Sequence, residues 1–197
     1  MSSTLHAALL RGLTHLSLTG ERNVLAIDGF RRAGVLVPLI VGGEGAELLF
    51  TRRTDHVETH KGQISFPGGM ADEADAGIVQ TALREAEEEL GIGANLVDVK
   101  GILDDLVVPS GFIITPVIGI LGALPLLTPN PQEVAEAFTV PLAFFCNPAN
   151  GRSELRDYRG AKREVWFYEH GGHSIWGATA MIVRSLLISL RVLGKSG

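Results

Sequence analysis

The chain has 197 residues, 46% of them hydrophobic and 20% charged, which is enough apolar surface for one well-buried domain and excludes a disordered chain. Its formal net charge of −5 argues against nucleic acid as a partner, because phosphate backbones are held by clustered Lys and Arg; an anionic small molecule stays open wherever a cation supplies local positive charge. The single cysteine, Cys146, allows no internal disulfide and fits a reducing, cytoplasmic setting, and within Leu142-Ala143-Phe144-Phe145-Cys146 it reads as packing.

Met1 to Leu13 carries no basic leader followed by a long apolar run, so export is not expected. Residues 2 to about 17 predict a short amphipathic helix, with Leu5, Leu9, Leu13 and Leu16 near helical spacing. Gly34 to Val41 is a near-continuous apolar run of strand length, and Glu47 to Arg52 is a second strand after a glycine-rich turn, so the two read as a hairpin within a mixed sheet. A polar connection, residues 53 to 62, leads to the strand-like Gln63 to Phe66. His56 and His60 stand four apart in it, but neither a Cys nor a third His has ligand spacing, so zinc is not expected.

The stretch from Gly68 to Ile92 organises the rest. A glycine pair leads through an acidic loop into a helix on which Glu85, Glu88 and Glu89 stand at i, i+3 and i+4 and share one face. Val79, Ala82, Leu83, Ala86 and Leu90 form a separate apolar stripe that docks the helix on a core. Gly91 sits where a helix C-terminus favours positive φ. A rigid cluster of like charges calls for a cation, and oxygen-only ligands suit Mg2+ or Mn2+.

Further along, Val97 to Leu103 reads as a strand, Asp104 to Gly111 as a loop, and Phe112 to Leu121 as a strand in which Pro116 implies an edge or a bulge. Asn130 to Leu142 opens like a helix, with Asn130 as N-cap and Pro131 at the first helical position. Arg163 to Glu169 alternates into a strand, Gly171-Gly172 turns the chain, and Ile175 to Ala180 opens a final helix ending near residue 193. Arg184 and Arg191 interrupt that apolar helix, which makes it a docked core helix and not a membrane span.

Gly68-Gly69, Asp75, Arg84-Glu85, Glu88-Glu89 and Gly91 together resemble the Nudix box. Two departures, Asp75 where Glu is usual and one extra residue between it and Arg84, are similar to the coenzyme A pyrophosphatase branch of that family. So are Leu48 to Arg52, His60 to Gly69, Ala82 to Ala86 and Ile175 to Ala180. Glu58 stands where that branch commonly has Arg.

The resemblance implies a single α/β domain of the Nudix fold, an α/β/α sandwich with a mixed β-sheet. It implies hydrolysis of the diphosphate linkage of coenzyme A or its acyl or oxidised forms to 3′,5′-ADP and a 4′-phosphopantetheine product. Glu85, Glu88 and Glu89, with the carbonyl of Gly68, are the expected ligands of Mg2+ or Mn2+. Arg84 is expected to pair with a glutamate of the cluster, and the base is either a box glutamate or Glu133, the acid of a Glu-Val pair outside the box. Arg52, Arg53 and Lys61 are candidates for holding phosphate, and Ser110, in the Pro109-Ser110-Gly111 turn, for bordering the substrate. Two alternatives stand beside this: hydrolysis of another nucleoside diphosphate derivative, which Glu58 keeps open, and a non-catalytic nucleotide-binding module. The N- and C-terminal helices either form a homodimer contact or cover the sheet.

Overall fold

The structure is a computed structural model that describes residues 7, 11–14, 16, 18, 22–42, 45–54, 62–158 and 160–192. Its centre is a pair of apolar strands. β1 (Arg31–Gly42) runs parallel to β7 (Phe112–Leu121) in unbroken register from Arg31↔Phe112 to Ile40↔Leu121. On its other side β1 forms the expected hairpin with β2 (Gly45–Arg53), Leu39 opposite Leu48.

β1 and β2 then diverge. β8 (Val134–Pro141) covers the free side of β2 along its length. Two short strands fill the wedge on the other side: β3 (Ile64–Ser65) pairs with Thr51 and Arg52, and β4 (Gly68–Met70) pairs with Ala33, Gly34 and Val35. Pro67 joins them, and its carbonyl accepts a hydrogen bond from Leu36 N–H at 2.9 Å. β5 (Asp98–Ile102) and β6 (Leu106–Val108) share the far side of β7, completing a mixed eight-stranded sheet.

Side-chain alternation divides the sheet into two cores. Leu36, Ile40, Leu49, Val117 and Leu121 face α1 (Ile78–Leu90), meeting Ala82, Ala86 and Leu90. Val37, Leu39, Leu48, Phe50 and Ile118 face the other way, toward Val183, Leu186 and Leu187 of α3 (Gly177–Ser189). The result is the α/β sandwich that the alternation of elements implied, with one helix on each face. A second, antiparallel sheet of β9 (Gly151–Tyr158), β10 (Ala161–His170) and β11 (His173–Trp176) leads into α3. The five-residue α2 (Leu142–Cys146) contains the partly buried Cys146, which packs against the α3-side core as expected, and burial pushes its thiol pKa up.

Four expectations need correction. Asp104 to Gly111 is not all loop, since Leu106–Val108 pairs with β7. Asp105 beside it is buried and accepts from Arg22, Arg32, Thr115 and the Leu25 N–H, so it straps the segment before β1 to the sheet. Pro116 lies in an interior strand, not at an edge. Its carbonyl accepts from Leu103 N–H, and the nitrogen of a strand residue points the same way, so the missing donor faces the gap where pairing passes from β6 to β5.

Asn130 to Leu142 is no helix. One turn closes at Asn130, and the β-branched and aromatic residues that follow pair with β2 instead. The last helix begins at Gly177, two residues later than expected, because Ile175 and Trp176 end β11. Of the expected N-terminal helix, Ala7 and Arg11 to Leu13 are helical and the remainder lies outside the described residues or beyond the helix; Leu13 and Leu16 pack against the α3-side core. Among the described residues no helix is long and apolar enough to cross a membrane.

Where α1 crosses β1 the strand carries Gly34. A Cβ there would lie 2.7 Å from the Ile78 carbonyl oxygen. Gly34→Ala is expected to lift the helix and lower the unfolding free energy by about 1–3 kcal/mol, read as a lower urea midpoint at unchanged slope. An unchanged midpoint would show that helix and strand are not in contact at this point.

Candidate active site

α1 places the acid cluster at the wedge. Its C-terminus is closed by Gly91 at φ 72°, whose N–H bonds to the Glu87 carbonyl, as the sequence predicts. The loop before the helix folds on its own acids: Asp72 accepts from Ala74 N–H, and Asp75 accepts from Asp72 N–H and from the hydroxyl of the fully buried Thr81.

Arg84 is the hub. A guanidinium has five N–H donors, and all five are used here. Nε and Nη2 reach the two oxygens of Asp75, each at 3.1 Å; Nη1 donates to Glu85 at 2.8 Å and Glu88 at 3.1 Å; Nη2 also donates to the Met70 carbonyl at 3.0 Å. The expected pairing of Arg84 with a box glutamate is present, but its bidentate partner is Asp75. Arg84 holds the Asp75 carboxyl far below the usual range, helped by the Asp72 N–H, and Asp75 in turn raises the arginine pKa. Sequence reasoning puts Asp75 in the motif without giving it work; its one-residue offset from the usual spacing is the signal that could have found it.

The three glutamates share a face but not an environment. Glu88 is exposed and tied to Arg84. Glu85 is partly buried, and burial raises its pKa against the opposing effect of Arg84. Glu89 is only 3% exposed, and its Oε2 is buried with no hydrogen-bond partner among the described residues. Burial pushes the Glu89 pKa up to about 8; Arg53 and the Gly68 N–H oppose that rise, while Glu133 and Glu85 add to it. Arg53 stands 3.9 Å away, too far for a hydrogen bond, and its own buried Nε has no partner among the described residues.

Of these side chains Arg53, Arg84, Glu85, Glu89 and Glu133 line one cleft of about 350 Å³, a size that admits a small molecule, and Glu88 does not. Arg53 enters from β2, Gly68 and Gly69 from β4, Arg84, Glu85 and Glu89 from α1, and Glu133 from the turn before β8. A Cβ on Gly69 would sit 2.5 Å from the Glu85 carboxylate, so a side chain at this point of β4 would displace that carboxylate. Among the described residues no three His, Cys, Asp or Glu side chains already converge on a metal position; Glu85 and Glu88 are drawn onto Arg84 instead.

Other expected residues lie elsewhere. Arg52 points to the opposite face of β2, where its Nε bonds to Glu136 at 3.1 Å. Ser110 is exposed in a turn whose Gly111 carbonyl bonds to Arg31 N–H, and it does not line the cleft. Lys61, like His56, Glu58 and His60, lies outside the described residues.

Comparison with known proteins is consistent with this geometry. The NUDIX domain profile matches residues 30–158. A Photorhabdus laumondii protein described as an uncharacterized Nudix hydrolase NudL is 41% identical over 165 residues, covering 84% of this chain and 88% of its own. A Yersinia pestis protein of the same description is 42% identical over 156 residues, 79% and 78% of the two chains. Among solved structures, a MutT/nudix family protein from Enterococcus faecalis aligns with TM-score 0.52 and 15% identity, over 88% of this chain and 71% of that one. The DR0079 protein of Deinococcus radiodurans aligns with TM-score 0.51 and 14% identity, over 82% and 88%. These two likenesses concern the fold alone.

The buried Glu89 carboxyl has a measurable consequence in metal-free protein. Between the ordinary 4.5 and about 8 the folded state keeps a proton that the unfolded chain releases. Stability contributed by this group is therefore lost as pH rises through that window. Thermal midpoints of metal-free wild type are expected to fall across it more steeply than those of Glu89→Gln, which has no proton to lose. Parallel curves would mean that Glu89 is charged in the fold at neutral pH.

Proposed function

This chain belongs to the Nudix hydrolase family, and within it we propose that the protein hydrolyses the diphosphate linkage of coenzyme A or its acyl or oxidised derivatives, with Mg2+ or Mn2+, to 3′,5′-ADP and a 4′-phosphopantetheine product. The observation that carries the reading is the cleft itself. A buried, unpartnered carboxylate oxygen of Glu89 stands with Glu85 and Glu133 beside Arg53, on a helix fixed by Arg84. The coenzyme A assignment is drawn from the signature residues around Gly62 to Gly69 and Ile175 to Ala180.

The donor set fits a hard divalent cation. Oxygen ligands of like charge, one of them desolvated and unsatisfied, gain from a cation what they lose by mutual repulsion. Glu85, Glu88 and Glu89, with the Gly68 carbonyl, would hold it, the first two turning from Arg84. Bound there, the ion would supply the charge neutralisation and water activation that a doubly anionic diphosphate demands.

The protein's own groups do the rest. Arg84 and Asp75 keep α1 and the loop after β4 in register. Arg53 lies at the cleft wall with a buried Nε that has no partner among the described residues, which supports a role in binding a phosphate oxygen. The base that takes the proton of the attacking water is a box glutamate or Glu133. A second reading, another nucleoside diphosphate derivative, is kept open by Glu58 in place of the branch's Arg. A non-catalytic module would have little use for Arg84, Glu85, Glu88 and Glu89 all being kept.

The test is chromatography of products after incubation with coenzyme A and either metal, beside ADP-ribose and a dinucleotide polyphosphate. Release of 3′,5′-ADP by wild type is expected, with turnover in Glu89→Gln lower by roughly 10²-fold or more, the scale of losing one pre-organised electrostatic contact. Turnover of ADP-ribose or the dinucleotide without turnover of coenzyme A would replace the substrate assignment. Full activity in Glu89→Gln would remove the glutamate face from the reaction.

A further inference from the structure

Glu133 reaches the cleft from outside α1, on a turn fastened on both sides. On one side stands Asn130, every polar group of which is engaged. Its N–H donates to the Glu89 carbonyl at 2.9 Å, and its carbonyl accepts from Glu133 N–H at 3.0 Å and Val134 N–H at 2.8 Å. Its Oδ1 accepts from Gln132 N–H at 3.1 Å, and its Nδ2 donates to Glu133 Oε1 at 3.2 Å. The amide can point only one way, because the Gln132 N–H requires an oxygen and so leaves the nitrogen to the carboxylate.

On the other side stands the buried Thr54, next in sequence to Arg53. Its N–H donates to the Glu133 carbonyl at 3.0 Å and its hydroxyl to the Gln132 carbonyl at 3.0 Å. The backbone of Glu133 is thereby locked to the residues that carry the Arg53 and Glu89 side chains. Among the described residues the side chain of Glu133 is oriented by one hydrogen bond, from Asn130. That bond comes from an uncharged amide, which aims a carboxylate without neutralising it. Glu85 and Glu88, in contrast, have oxygens engaged by the Arg84 guanidinium.

We propose that Asn130 is a positioning residue for Glu133, holding Oε1 so that Oε2 takes the proton of the attacking water. The inference rests on the hydrolase reading above. In the step it serves, the water oxygen bonds to phosphorus and its proton passes to Glu133. The bond from that phosphorus to the bridging oxygen breaks, and its electron pair leaves with the departing phosphate.

Asn130→Ser tests this, because a serine hydroxyl still accepts from Gln132 N–H while the donor to Glu133 is lost. The backbone bonds to Glu89 and Val134 are untouched. Steady-state kinetics of wild type, Asn130→Ser, Glu133→Gln and the double variant are measured on whichever of coenzyme A, ADP-ribose or diadenosine tetraphosphate wild type turns over, together with thermal midpoints.

Asn130→Ser is expected to lower kcat at least about tenfold, within the span of general-base effects, with KM and thermal midpoint near wild type. Added to Glu133→Gln, it is expected to cost less than about twofold, because both changes act through one group. Additive losses, or wild-type kcat in Asn130→Ser while Glu133→Gln is slow, would overturn the positioning role and leave the hydrolase reading standing. No turnover of any of the three by wild type would overturn that reading and this inference with it. Should Asn130→Ser fail to fold, the isosteric Asn130→Asp, which keeps the acceptor and sets a charge against Glu133, takes its place under the same criteria.

Discussion

The site depends on one guanidinium being fully spent. Arg84 sits in the middle of α1, yet its five donors end on the last residue of β4, on the acid before the helix and on two glutamates of α1 itself. Planar geometry makes this more than charge pairing: the Nε and Nη2 fork fits both oxygens of Asp75 only when loop and helix stand in one relation. A lysine could neutralise Asp75 but could not fix that angle. The helix has no side-chain cap at Gly77, so this fork also steadies an N-terminal part that capping leaves loose.

The second constraint is the absence of side chains where backbones must meet. β4 fills the wedge between diverging β1 and β2 only because Gly68 can lie on Val35 and Gly69 can lie under Glu85. Gly34 lets α1 down onto the same strand. Three bare positions thus bring a strand, a second strand and a helix to one point. The cleft floor then carries backbone polar groups beside carboxylates, with no methyl group between them.

Much of this was legible in the chain. β1, β2 and the α1 stripe are written in hydrophobic periodicity, which reports burial and little else. Gly91 was legible because a helix end needs a residue that tolerates positive φ. What periodicity cannot report is pairing. Leu106 to Val108 is too short to announce itself and is a strand only because β7 lies beside it. Asn130-Pro131 carries a sound helix-start signal, and a single turn does form there; what cancels the helix is the open side of β2, a partner far away in sequence. Arg52 and Arg53 were equal candidates until strand parity sent one to each face of the sheet.

The electrostatics of the cleft bear on the order of events there. Among the described residues Asp72, Glu85, Glu89 and Glu133 line the cleft with the guanidinium groups of Arg53 and Arg84, so carboxyl groups outnumber cationic ones there, a balance that by itself disfavours an anion. Burial answers part of that excess by favouring a proton on Glu89. A cation that binds the same oxygens must displace that proton, so proton and metal compete for one carboxylate and metal affinity should rise with pH. An anionic ligand would be favoured only after that exchange. On this view the burial of Glu89, which costs the metal-free fold stability at neutral pH, would favour a cation in the cleft ahead of a phosphate.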